Sequence, residues 1–207
     1  MNELNTDKRT PLHVAAMFHD NTVQQLILSK DDIEVNFKDN TNMAPLDYAV
    51  IANKPFNVQL LCNNGKIDVN IANSFGLTPL HYAARGGCSE CLQHLLTTPN
   101  IDVNKKSSAG YTPLSLAAWN GQIECVRKLL AHPNINVNLQ TNTGDTPLHA
   151  AAEQGHIECV KLLLSHKDIN TTLTNNAGKT PLQLAQESNS PNKQAIIDLL
   201  TNHNSTS

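Results

Sequence analysis

Five cysteines and nine histidines are the residues of this sequence best suited to do chemistry. Cys88, Cys91 and His94 lie together in the run CSECLQH, a set of residue types that suits zinc. On a helix these three side chains spread over half a turn, and no second CxxC closes a tetrahedron, so no metal is expected. Cys91, Cys125 and Cys159 recur at one constant interval on the apolar side of a helical pattern and read as small buried hydrophobes. Equivalent positions in neighbouring structural units stand about 10 Å apart, beyond the roughly 7 Å between Cα atoms that a disulfide bridges. With Cys62 and Cys88 the cysteines are odd in number in a chain large enough to need no staples, as expected of thiols kept reduced in the cytoplasm. No glycine-rich phosphate loop, HExxH run or paired-carboxylate signature occurs, so neither a catalytic residue nor a cofactor is expected.

Composition narrows the remaining classes. With 207 residues, 40% of them hydrophobic, the chain can bury a sizeable core. A formal charge of -3 and a pI near 6.3 give no strong field of either sign, which argues against nucleic acid or a membrane surface as partner. The opening MNELNTDKRT lacks the apolar core of a signal peptide, and no stretch approaches the roughly 18 apolar residues of a membrane span. About one residue in eight is asparagine, a type that tolerates left-handed backbone and suits a turn-rich architecture.

The elements that position these residues come from an internal repeat. Pro11, Pro45, Pro79, Pro113, Pro147 and Pro181 are evenly spaced along the chain, in TPLHVA, APLDYA, TPLHYA, TPLSLA, TPLHAA and TPLQLA. Thr as N-cap, replaced by Ala44 in the second copy, and Pro at the first helical position start a short helix of about nine residues. Gly87, Gly121 and Gly155 end it in three copies, while His19, Asn53 and Asn189 stand there in the others. A second amphipathic helix follows, seen in VQQLIL from Val23, VQLLC from Val58, CLQHLL from Cys91, CVRKLL from Cys125 and CVKLLL from Cys159. An extended arm then runs through IEVN, IDVN, IDVN and INVN to a tight turn at Gly76, Gly110, Gly144 and Gly178.

These TPLHxA segments, GxxEC(V/L)xxLL helices and DVN arms closely resemble the ankyrin repeat, over residues 5 to 202. The period is 34 where the family's is 33, and Pro99 and Pro133 end second helices where the family usually has glycine. The resemblance implies an all-α solenoid of six stacked helix-turn-helix units with projecting β-hairpin fingers, repeats at about 5-38, 39-72, 73-106, 107-140, 141-174 and 175-202, and a polar tail at 203-207. One domain, monomeric when alone, is expected, with polar caps at Gln24 and Gln25 in copy one and at Lys193, Gln194 and Asp198 in copy six. Those two caps together suggest a complete protein. The ring of His13, His81 and His149 is expected to bond backbone groups and tie adjacent repeats, with Asp47, Ser115 and Gln183 in its place elsewhere.

In this family the groove formed by finger tips and the inner face of each first helix binds proteins. Carried over position by position, it gives Met17, Phe18, Ile51, Phe75, Leu77, Arg85, Tyr111, Trp119 and Glu153 as protein-binding candidates. The centre is expected at Phe75, Leu77, Arg85, Tyr111 and Trp119, since exposed aromatics and arginine dominate binding hot spots. The competing reading is that Trp119 and Phe75 pack against the next finger. The resemblance thus implies a non-catalytic adaptor or scaffold for a protein or peptide, with inhibition of a partner enzyme as the alternative. It also suggests a bacterial effector acting in host cytoplasm, since free-standing asparagine-rich ankyrin proteins resemble those. Asn36, Asn70, Asn104 and Asn138 sit where ankyrin asparagines are hydroxylated, against the plainer expectation that each bonds the arm backbone.

Overall fold

The structure, a computed structural model, describes residues 4-18 and 21-206, with the side chain of Thr206 excepted. His19, expected at a helix end, lies outside the described residues. Each repeat contributes two antiparallel helices: α1 (Pro11–Met17) with α2 (Thr22–Leu28), α3 (Pro45–Ile51) with α4 (Pro55–Cys62), and α5 (Pro79–Gly86) with α6 (Ser89–Leu96). The series continues with α7 (Pro113–Trp119) and α8 (Ile123–Leu130), α9 (Pro147–Gln154) and α10 (Ile157–Leu164), and α11 (Pro181–Glu187) and α12 (Lys193–Thr206). Helix packing joins members of one repeat and of adjacent repeats, which is solenoid stacking. Residues 203-206, expected in a polar tail, are helical.

The first helices start as their sequence dictates. At α7 the Thr112 hydroxyl accepts the Ser115 N–H at 3.1 Å while the Ser115 hydroxyl oxygen accepts the Thr112 N–H at 2.8 Å, a reciprocal capping box. Where histidine stands third, its ring replaces the hydroxyl: Nδ1 of His81 accepts the Thr78 N–H at 3.1 Å and Nε2 donates to the Tyr111 carbonyl of the next repeat at 3.0 Å. His13 reaches the Met43 carbonyl and His149 the Lys179 carbonyl in the same way. One buried ring therefore closes a helix start and ties two repeats, which requires the neutral Nε2–H tautomer. Burial accordingly pushes the pKa of all three rings down.

These first helices are seven or eight residues long, shorter than the nine expected. Gly87 and Gly155 terminate α5 and α9 at φ 70° and 81°, and Asn53 takes the same left-handed region at φ 50°. Repeats one and six depart, since α1 and α11 stop at Phe18 and Ser188 with extended backbone. The motif leucines of the first five repeats supply the core: Leu12, Leu46, Leu80, Leu114 and Leu148 are fully buried and cluster with Leu61, Leu95, Leu129 and Leu163 from the second helices, while Leu182 of the sixth is only partly buried. Each such leucine contributes about 1.5 to 3 kcal/mol by leaving water.

The fingers are narrow. In the fourth, the Ser107 N–H donates to the Tyr111 carbonyl at 2.9 Å, and Gly110 turns the chain at φ 81°. Its tip is joined to its neighbours, because the Ser108 N–H donates to the Phe75 carbonyl at 2.9 Å and the Asn142 N–H to the Ala109 carbonyl at 3.1 Å. A Cβ on Gly110 would stand 2.6 Å from the Asn142 nitrogen, so the turn and the close approach both require glycine there. Among the described residues these sparse bonds form no regular strand.

The arm asparagines join repeats as well. Asn70 donates Nδ2–H to the Asn100 carbonyl at 2.7 Å and accepts the Asp102 N–H at 2.8 Å, and Asn36, Asn104 and Asn138 repeat the pattern. One expectation fails at the N-terminal end: Gln24 is fully buried, not a surface cap, and its amide donates to the Asn57 carbonyl at 2.9 Å. Gln24 falls one full period before the buried Val58, so helix phase turns it inward. The outer side of α2 instead exposes Val23 and Leu26 beside Gln25.

Candidate protein-binding groove

One side chain per first helix recurs along the concave edge of the stack, at the same place in each repeat: Met17, Ile51, Arg85, Trp119, Glu153 and Glu187. Between this column and the finger tips lies a cleft of about 460 Å³ in repeats three and four. Phe75, Leu77, Arg85, Tyr111 and Trp119 all line it, together with Ser107, Ser108, Ala109, Leu116 and Asn120. Phe75 is 69% exposed and Trp119 40%, so much apolar surface stays uncovered. Met17 is half-buried and Phe18 and Ile51 are exposed on repeats one and two, outside this cleft; Glu153 lies beyond it on repeat five.

The backbone under the cleft is fixed while its side chains stay available. The Tyr111 carbonyl accepts from His81 and from Ser107, and the Tyr111 N–H donates to the Ser107 hydroxyl at 3.1 Å. The Phe75 N–H donates to Asn73 Oδ1 at 2.9 Å, and the Trp119 carbonyl lies 3.0 Å from Nε2 of His156 in the next repeat. Rigid anchors lose little entropy when a ligand arrives. Sequence reasoning misses Leu116 because it occupies the x of TPLHxA, which reads as interior; Tyr48 and Tyr82, partly exposed at the same register, are the available signal.

Charge is unevenly placed along the column. Arg85 is exposed and makes no ion pair among the described residues. On repeat five, Asp145 is occupied by the Thr143 hydroxyl at 2.7 Å and the Asn175 amide at 2.8 Å. Lys179 pairs with Glu187. Partial burial and then the nearby Asp145 raise the pKa of Glu153, whose carboxylate sits in a negative field.

The cysteines belong to the core. Cys91, Cys125 and Cys159 are buried and unbridged, and burial pushes their thiols up to about 12, 12 and 11. Cys125 Sγ points at the Ala83 carbonyl at 3.7 Å, a weak bond to the preceding repeat. Thiols so protonated are poor nucleophiles. Among the described residues no three His, Cys, Asp or Glu side chains gather as a metal set.

Paired short helices, stacked in register with fingers at their edge, define a helical-repeat solenoid with an open concave face. The sequence matches the family model described as ankyrin repeats (3 copies) over residues 1-73, 65-141 and 133-206, and the chain belongs to the ankyrin repeat family. A crystal structure of an ankyrin repeat domain from Acinetobacter baumannii AYE superposes with a TM-score of 0.83 at 31% identity, covering 94% of this chain and 97% of that one. The ankyrin repeat protein EF0377 gives 0.84 at 28% identity, covering 92% and 96%. A search of the curated proteins gives no match. Ankyrin repeats are generally protein–protein interaction modules without catalytic activity, and no helix among the described residues is long and apolar enough to cross a membrane.

Proposed function

We propose that this chain is an adaptor that holds a protein or peptide partner in the groove of repeats three and four. The observation carrying this is the clustering of Phe75, Leu77, Arg85, Tyr111 and Trp119 around one exposed cleft of about 460 Å³. Aromatic and arginine side chains on a fixed backbone are the anchors that dominate association energies. The setting that suits the chain is the cytoplasm, where five unbridged thiols stay reduced.

Affinity capture from a lysate of the source cells, with wild type beside a Tyr111→Ala, Trp119→Ala double variant, tests this. Partners retained by wild type should lose at least about tenfold in affinity for the variant, while thermal melts of the two proteins coincide. Equal capture by a folded variant would remove the cleft from the binding surface.

A further inference from the structure

The column of first-helix residues gives the groove a polarity. Arg85, Trp119 and Glu153 stand on consecutive repeats, all exposed, and they read cation, aromatic, anion along the concave edge. Arg85 has no ion-pair partner among the described residues, whereas the acid next along, Glu187, is already held by Lys179. Asp145, the other acid near Glu153, is taken up by Thr143 and Asn175. Two opposite charges are thus left open on either side of the Trp119 ring, with the apolar walls of the cleft between them.

Helices packed in register lie about 8 to 10 Å apart, and an extended polyproline-II chain advances about 3.1 Å per residue with every third side chain on the same face. One repeat of the groove therefore matches roughly three residues of such a ligand. From this complementarity we infer that the ligand is an extended segment of a partner protein bearing an acidic residue for Arg85, a large apolar residue for Trp119 and a basic residue for Glu153, at intervals of about three. This rests on the groove reading above and adds to it the chemistry and the direction of the ligand. A basic side chain is drawn to repeat five and repelled at repeat three, so the charge order of the segment sets which of its ends lies at which repeat.

A displayed library of random extended peptides, selected on the full chain, tests this. Selected peptides should carry the acidic, apolar and basic residues in that spacing. Their affinity should fall about threefold to tenfold with either Arg85→Glu or Glu153→Lys, and should recover when the peptide charge facing the reversed residue is reversed as well. Peptides that need Trp119 but ignore both reversals would overturn the charge pattern and leave the groove reading standing. Peptides indifferent to Trp119→Ala as well would overturn both, and no selected peptides at all would overturn the extended-segment inference and leave the groove to a folded partner.

Discussion

Repeats one and two differ from repeats three to five in how they reach the same backbone. In the column that faces the preceding repeat, repeats three to five place Cys91, Cys125 and Cys159, whereas repeat two places Asn57. The Asn57 amide donates to the carbonyls of Ala15, Ala16 and Phe18, the last at 2.7 Å. Gln24 then bonds Asn57 from the other side, and its Oε1 is buried without a partner among the described residues. Finger two is likewise polar inside: Asp39 accepts from Tyr48 at 2.6 Å and from Arg9 at 3.3 Å, with the guanidinium 4.9 Å over the Tyr48 ring. Burial alone would raise the pKa of Asp39, but the hydroxyls of Thr41 and Tyr48 and two backbone N–H groups hold it well below the carboxylate range. Apolar columns tolerate exchange one residue at a time, while the N-terminal pair depends on interlocked hydrogen bonds that fail together.

Removing one such bond set should have the largest effect. Asn57→Ala leaves buried carbonyls unmet and should cost about 2 to 3 kcal/mol, against about 1 kcal/mol for Cys125→Ala in the same column. Urea unfolding of both variants checks this, and equal losses would erase the distinction between the two regions. Gly110→Ala should cost about 1 to 3 kcal/mol through its left-handed turn and the crowded Asn142 nitrogen. Lys8 and Asn42 already hold the equivalent turns of the first two fingers at φ 59°, so a change at either to alanine should cost less.

A smaller, stabilising change is expected at Asp47, which stands where His81 does. Its Oδ2 accepts the Ala44 N–H at 2.8 Å, but Oδ1 is buried without a partner among the described residues, and burial lifts its pKa to about 7. Asp47→His should restore the tie to the next repeat and add about 1 kcal/mol, read as a higher denaturation midpoint. An unchanged midpoint would mean that the second repeat does not profit from the histidine bond.

A pH response of opposite sign is also expected in neighbouring repeats. His81 titrates below its unfolded value, so repeat three loses stability as pH falls below about 6.5. Asp47 titrates above its unfolded value, so repeat two gains stability as pH falls from about 7. Hydrogen exchange followed repeat by repeat at pH 7 and pH 5, corrected for intrinsic rates, should show protection moving in opposite directions. Parallel loosening of both repeats would contradict this assignment.

Much of the fold was legible because a solenoid converts sequence period into spatial column. Counting one period back and one period forward from Trp119 gives Arg85 and Glu153, and the same count relates Phe75 to Ala109 at the finger tips, so the first-helix column and the finger tips can be named from spacing alone. What escaped the sequence depended on helix phase or on partners in another repeat. A glutamine near a chain end reads as surface, and only its alignment with Val58 shows that Gln24 points inward. The Asp39 network joins residues of two fingers and a helix, and nothing in the spacing of Arg9, Asp39 and Tyr48 announces it.

The ties between repeats have a mechanical consequence. Bonds such as Asn70 to Asn100 and Ser108 to Phe75 hold each unit only to its neighbours. Tugged by its two ends, the chain should lengthen stepwise, each step releasing one unit and about 110 Å of slack. The steps should follow one another and not coincide, so the protein would behave as a spring whose coils open one at a time.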